Sequence, residues 1–466
     1  MNAQNKRGNF TGTLGFVMAA AGSAVGLGNT WRFPYLAAKD NGGVFIFFYI
    51  ILALTFGFAL LTTEIAIGRK TAQSPLTAYE KIHPKWKGIG VIACLVPIII
   101  LPYYCSIGGW VMKYFFSFIT GSGESSAADG YFTNYITSIN GPIIWMLVFL
   151  ALTALVVFSG VEKGIEKYSK ILMPILLVLI IGISVYSLTL RHVDADGVTR
   201  TGLQGLKIYL VPDFSGMTVK DFFVVITDAL GQLFFSISVS MGIMVAYGSY
   251  VKKDVNLMKS INQIEIFDTV VALLAGLMIV PAVFTFMGQD GMSKGPGLMF
   301  ISLPKVFKSM GSIGTIIGIL FFLMVIFAAI TSAVSVMEAI VSSIMDKFKL
   351  SRKKSSLLVT LYAVIGGLIV CLGYNLFYFE LKLPNGTVGQ ILDVMDYISN
   401  NCLMPLVALL TCILIGWVVK PKTIIDEVCH GGYKFRRKNL YIIMIKFIAP
   451  VLLLILLLQS IGIKII

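Results

Sequence analysis

The sequence predicts an all-α polytopic membrane protein, and three observations carry that prediction. Of its 466 residues, 57% are hydrophobic and only 13% are charged, which is too little polar surface for a water-soluble domain. Eleven apolar runs approach or exceed the roughly 20 residues that a helix needs to cross a bilayer. Short connections rich in Lys and Arg lie between them, the pattern that orients membrane helices. The net charge of +14 is therefore read as topology, and the expected partner is the lipid bilayer rather than nucleic acid. Six scattered Cys without a CxxC pair support neither a disulfide framework nor a zinc site. His83, His192 and His430 lie far apart in connections, so no His-based metal centre is expected.

In chain order the spans fall near 12–36, 43–68, 89–119, 143–159, 168–190, 222–249, 262–287, 312–344, 356–378, 389–418 and 440–463. The chain opens on the polar MNAQNKRGNF and runs straight into the first span, so no cleavable signal peptide is expected. With the N-terminus cytoplasmic, the inner segments hold 24 of the 37 Lys and Arg, and the outer loop 120–142 holds none. The stretches 191–221 and 288–311 depart from this bias, but long loops obey it weakly. An odd number of spans then leaves the C-terminus outside. The whole chain, 1–466, reads as one transmembrane domain in the inner (plasma) membrane.

The first span contains AGSAVGLGNTWRFP, Ala21 to Pro34. Its small residues weaken a helix, and Asn29 and Arg32 stand where lipid offers no partner. Backbone groups freed by a break are tolerated at membrane depth only where they line protein or a cavity. Freed carbonyls can hold a cation and freed amides an anion. Close helix packing would also select small residues, but the sixth span repeats the anomaly with Ser236, Ser238, Ser240 and Gly242. Paired interrupted spans, five apart and so entering from opposite sides, point to a secondary-transporter site between two inverted repeats. Those repeats run over about 10–190 and 220–418, with an additional helix near 440–463.

AGSAVGLGN followed by WRFP, GQLFFSIS in the sixth span and AAITSAVS in the eighth together resemble the neurotransmitter:sodium symporter family, in its bacterial amino-acid-transporter branch. The resemblance extends from about Lys6 to the tenth span and implies five-plus-five inverted topology with spans 1 and 6 broken. It also implies two Na⁺ sites. One would use the carbonyls of Gly22, Val25 and Ala328 with the hydroxyls of Thr331 and Ser332. The other would use the Ala24 carbonyl, Asn29, Ser236, Asp268 and the carboxylate of the substrate itself. Ser236 and Asp268 depart from the family pattern, in which Thr and Asn are usual. Neutral or anionic oxygens suit a hard cation and offer nothing to a soft transition metal.

The implied substrate is an L-amino acid. Its carboxylate would meet the Leu27 and Gly28 amides and the Tyr104 hydroxyl, at a half-helix N-terminus that favours anions. Its ammonium would meet the carbonyls of Ala24, Phe235 and Ser236 and the Ser238 hydroxyl. Ile100, Tyr104, Phe235, Met241, Ser332 and Val336 would surround the side chain, a mostly apolar wall that implies tyrosine, tryptophan, phenylalanine, leucine or methionine. Arg32 and Asp396 would form the outer gate through water, with Tyr104 and Phe235 as a lid. Arg7 and Asp346 would form the inner gate, beside Ser249 and Tyr250. Glu64 would bond to unwound backbone of the sixth span.

Two Na⁺ and a zwitterion bring two positive charges into a low-dielectric site, where uncompensated charge is very costly. Asp268 would compensate permanently, so the expected transport is sodium-coupled and chloride-independent. A proton-coupled or exchanging carrier of the same architecture is the nearest alternative. A non-transporting amino-acid sensor is another, though no segment has room for a signalling domain. No catalytic dyad or HExxH pattern supports an intramembrane enzyme.

Overall fold

The computed structural model describes residues 8–194, 197–292 and 297–463. Among them, nine helices are long and apolar enough to cross a membrane: Gly43–Thr71, Pro84–Ile119, Asn140–Phe158, Val161–Leu188, Leu257–Gly288, Ser312–Phe348, Arg352–Leu372, Ile391–Val418 and Lys438–Ser460. Each overlaps one of the expected spans. The other two expected spans, the first and the sixth, are the interrupted ones. The first is divided into helices Thr13–Ala24 and Phe33–Lys39, joined by a wider π-type turn over Gly28–Arg32. The sixth is divided into Val219–Ser236 and Ile243–Gly248.

Several helices outrun their apolar cores because polar residues at their ends are satisfied locally. The fifth span begins at Val161 although Glu166 follows at once. Glu166 is buried, accepts the Thr11 amide at 2.8 Å and pairs with Lys170 at 2.5 Å, so the helix can carry it. The seventh begins at Leu257, where the Asn256 side chain accepts the Lys259 amide at 3.0 Å as an N-cap. The eighth continues to Phe348 and stops where Lys349 turns left-handed, at φ 54°.

Packing follows the polarity pattern. The third span, Pro84–Ile119, packs most extensively against the eighth, and their facing sides form the centre of the buried core. Leu155, Val178 and Ile365 on the fourth, fifth and ninth spans point outward, as side chains facing acyl chains do. Long connections have structure of their own. Arg191–Val193 pairs antiparallel with Thr199–Thr201. Helix Gly202–Leu210 follows, opened by a reciprocal Thr201–Gln204 capping box that the Thr-x-x-Gln spacing encodes. Tyr209 then ties this connection to the seventh span, donating to the Leu273 carbonyl at 2.8 Å.

Opposite the Lys/Arg-rich face, Asp40 follows the second half of the first span and is buried. Lys39 Nζ lies 2.6 Å from Asp228 Oδ2 and 3.5 Å from Asp40 Oδ1. Asp40 Oδ2 has no hydrogen-bond partner among the described residues. Burial, and then the neighbouring Asp228 carboxylate, push the Asp40 carboxyl up to about 7 against the pull of Lys39. The ionised form is thus penalised in the folded state alone. Stability at this site is full below the ordinary carboxylate range and is lost as pH rises towards 7. Asp40→Asn should therefore match the parent's thermal midpoint near pH 4 and exceed it by a few degrees at about pH 8. Melting curves that stay parallel across that range would contradict this reading.

Candidate ion and substrate site

Both breaks are built from residues that cannot continue a buried helix. The first helix stops where Val25 becomes extended, at φ −76° and ψ 90°. Gly26 and Gly28 are required by space. A Cβ on Gly26 would stand 2.5 Å from Ser332 Oγ and 3.0 Å from Tyr104 Oη, and one on Gly28 would collide with the Phe235 ring. In the sixth span Ser238, Ser240 and Gly242 take φ of 53°, 64° and 74°. The left-handed region costs about 1–2 kcal/mol for a residue with a Cβ, and hydrogen bonds hold both serines there. Ser238 Oγ donates to the Ser23 carbonyl at 2.9 Å, and the Ser240 amide donates to Glu64 Oε1 at 2.6 Å. Glu64 therefore meets unwound backbone of the sixth span, as anticipated.

A polar cluster lies between the two breaks and the seventh span, sealed from solvent. Asn29, Tyr49, Ser236 and Asp268 are each 0% exposed. Asn29 Nδ2 donates to Asp268 Oδ1 at 2.8 Å, and Ser236 Oγ stands 3.0 and 2.8 Å from the two carboxylate oxygens. Ser236 Oγ is also 3.2 Å from Asn29 Oδ1. Tyr49 Oη reaches Ser236 Oγ at 2.8 Å and Asp268 Oδ2 at 3.4 Å. Three of the four residues expected at one Na⁺ site are thus in mutual contact. Ala24, the fourth, ends the first helix, so its carbonyl belongs to the last turn, which lacks intrahelical donors. The assembled donors are oxygens around one carboxylate, the chemistry a hard cation takes.

The second expected set is also brought together. Ser332 Oγ donates to the Ser23 carbonyl at 2.9 Å and stands 3.5 Å from that of Val25. Thr331 Oγ1 lies 3.1 Å from the Ala328 carbonyl, and also bonds back to Phe327 at 2.9 Å. Thr331 Cβ stands 3.4 Å from where a Gly22 side chain would begin, so the first break lies directly against the eighth span.

Between these clusters the Leu27 amide points at Tyr104 Oη, 3.3 Å away. Tyr104 and Ser332 press against Gly26, and the Phe235 ring presses against Gly28 two residues on. Ile100, Met241, Ser332 and Val336 are buried, and Phe235 is partly exposed. Two polar groups escaped the sequence reading. Gln232 Nε2 donates to the Gly28 carbonyl at 3.0 Å, while its Oε1 is buried without a partner among the described residues. A Gln inside an apolar helix was a usable signal. Tyr49 carried none, because a Tyr in the run FFYI looks like packing until its hydroxyl is placed.

The gate residues are arranged less symmetrically. Asp396 accepts from Tyr103 Oη at 3.2 Å and from Asn400 Nδ2 at 2.5 Å. Among the described residues no direct ion pair joins it to Arg32, which lies beside Gly231 and is half-buried. On the opposite side Arg7 lies outside the described residues, and Asp346 Oδ2 accepts the Ser74 amide at 2.6 Å. Ser249 bonds its own turn at Ala246, and Tyr250 turns instead to Glu338, at 2.6 Å. The Arg352 guanidinium grips both Glu338 oxygens, at 2.7 and 2.8 Å. Phe10 closes the same side, with its amide on the Tyr250 carbonyl at 3.2 Å and its ring edge-on to Tyr247 and Tyr250. Glu338 is an acid inside a span, a signal that generally marks a partnered or functional group, and it was not among the expected gate residues.

Comparison with known proteins follows the same residues. The model of the sodium:neurotransmitter symporter family matches residues 7–138 and 124–464. An uncharacterized sodium-dependent transporter of Bacillus subtilis (strain 168), YhdH, is 36% identical over 99% of this chain and 99% of its own. The sodium- and chloride-dependent GABA transporter 2 of Homo sapiens is 25% identical over 91% of this chain and 75% of its own. Among solved structures, that of MhsT in complex with L-phenylalanine superposes with a TM-score of 0.85 at 34% identity, covering 97% of this chain and 100% of that one. The chain is thus a multi-pass membrane transporter rather than an enzyme, and it belongs to the sodium:neurotransmitter symporter family.

Proposed function

We propose that this chain imports hydrophobic or aromatic L-amino acids together with Na⁺, by alternating access and without a requirement for chloride. The observation that carries the proposal is the buried Asp268 carboxylate in contact with Asn29 and Ser236. Na⁺ is a co-substrate in this reading. It would enter among Ala24, Asn29, Ser236 and Asp268 at one site, and among Gly22, Val25, Ala328, Thr331 and Ser332 at the other. The amino acid would bring its carboxylate to Leu27, Gly28, Tyr104 and the first Na⁺, so each ligand would strengthen binding of the other by linkage. The likeness to a structure holding L-phenylalanine and the apolar walls at Ile100, Phe235, Met241 and Val336 support the substrate class. Ser332 would serve both the second ion and the pocket, and Ser238 would face the ammonium.

Alternating access then needs each side to close in turn. Arg32 and Asp396 would close the outer side through water, while Asp346, with Arg7, and the Tyr250–Glu338–Arg352 group would close the inner side. The two inverted repeats, about 10–190 and 220–418, would supply the moving and fixed parts, with the helix near 440–463 outside them. The Lys/Arg bias of the connections supports a plasma-membrane orientation with a cytoplasmic N-terminus and an external C-terminus.

Purified protein in liposomes should take up labelled phenylalanine, tyrosine, tryptophan, leucine or methionine under an inward Na⁺ gradient, and not under a K⁺ or proton gradient. Peptides and amines lacking the carboxylate should fail to compete. Uptake driven equally by a proton gradient without Na⁺ would favour the proton-coupled alternative.

Asn29, Ser236 and Tyr49, the hydrogen-bond partners of Asp268, are neutral, so an amide at this position keeps a ligand oxygen and removes only the charge that would face Na⁺. Asp268→Asn is expected to raise the Na⁺ concentration for half-maximal uptake about tenfold in chloride-free medium, the equivalent of about 1.4 kcal/mol. Unchanged sodium dependence in that variant would remove Asp268 from the ion site.

A further inference from the structure

On the Lys/Arg-rich face, at the start of the seventh span, lies a cavity of about 380 Å³. Lys259, Lys434, Arg436 and Arg437 line it, with Asn262 and Met258 among the rest, and no carboxylate does. Arg437 is already engaged. Its guanidinium bonds both Glu265 oxygens, at 3.1 and 2.6 Å, reaches the Leu54 carbonyl at 3.2 Å and the Asn262 side chain, and lies 3.5 Å over the Phe58 ring. It fixes the wall of the cavity to the second and seventh spans. Lys259, Lys434 and Arg436 are exposed, and among the described residues no ion pair or side-chain hydrogen bond engages them. Three cations without counterions on one concave surface make an anion site.

The surroundings say what kind of anion. Helices Leu257–Gly288 and Lys438–Ser460 both begin at the cavity, and helix N-termini favour phosphate-like groups. On the first of these helices Lys259, Asn262, Ile266 and Val270 follow one another at spacings of three and four, on one face. The stripe is polar at the cavity and apolar above it, where Ile266 and Val270 are exposed. Leu54, whose carbonyl Arg437 holds, and Ile443 on the last span are also exposed apolar residues at this level. A headgroup at the membrane surface with a chain rising along Ile266 and Val270 matches that change of polarity. Free phosphate would use only the lower half.

We propose that this cavity binds the phosphate headgroup of an anionic phospholipid, with an acyl chain laid along the exposed face of the seventh span. Basic clusters at this depth attract such lipids, and each cation near the surface contributes about a fivefold factor in affinity. The site would grip the foot of the helix that carries Asp268, together with the start of the last span.

Native mass spectrometry of the full-length protein in detergent tests the assignment, with phosphatidylglycerol and phosphatidylcholine of identical chains as probes. Phosphatidylglycerol should be retained in preference. The triple variant Lys259→Ala, Lys434→Ala, Arg436→Ala should lose on the order of 100-fold of that affinity. Its lipid-free thermal midpoint should equal the parent's, since all three side chains are exposed. The charge-preserving triple Lys259→Arg, Lys434→Arg, Arg436→Lys should keep the preference. Equal retention of both lipids, or full retention by the alanine triple, would overturn the site. Displacement of phosphatidylglycerol by millimolar inorganic phosphate would overturn the lipid assignment.

Discussion

A single buried carboxylate organises the centre of this protein. Asp268 sits at 0% exposure in a membrane interior, where an unpaired charge is very costly. Asn29 from the first break, Ser236 from the sixth span and Tyr49 from the second all turn polar atoms toward it. Those contacts explain why two helices are interrupted at the same depth. A continuous first helix would keep the carbonyls beyond Ala24 in its own ladder, and the site would lose the oxygens that a cation needs. In the proposed function, the breaks, the small residues that permit them and the close approach of the eighth span at Thr331 and Ser332 would all serve that requirement.

The local costs are met locally. Ser238 and Ser240 hold left-handed backbone because Ser23 and Glu64 bond to them. Gly26 leaves room for Ser332 and Tyr104, and Gly28 for the Phe235 ring. The proposed substrate pocket would therefore be made by backbone that is not helical, inside walls that are. Further out, buried ion pairs such as Arg352–Glu338 and Arg69–Glu427 tie successive elements on the Lys/Arg-rich face. Truncating one partner of such a pair strands the other charge.

Much of this was legible in the residues. Long apolar runs placed the spans with end offsets of up to seven residues, largest at Val161, and the Gly/Ser clusters in spans 1 and 6 marked both breaks. Asn29, Ser236 and Asp268 were nominated from the family resemblance, and they prove to be hydrogen-bonded to one another. Other features were hidden for physical reasons. Tyr49 is polar only at its tip, so its apolar neighbours masked it. Glu338 and Arg352 lie 14 residues apart, and nothing in that spacing announces a bidentate pair between the eighth span and the start of the ninth. The pairing of 191–193 with 199–201 joins short segments that have little intrinsic preference for it. The basic cavity unites connections more than 170 residues apart in sequence, which only the packing of the seventh and last spans could reveal.

In the proposed function, the fixed negative charge of Asp268 would separate this site from one that needs an added anion. Sodium-driven amino-acid uptake into liposomes, measured with sodium constant while chloride is replaced by gluconate inside and out, tests that most directly. If Asp268 supplies the compensating charge, rate and sodium midpoint should be the same in both media. Uptake that collapses without chloride and returns when it is restored would contradict the role assigned to Asp268.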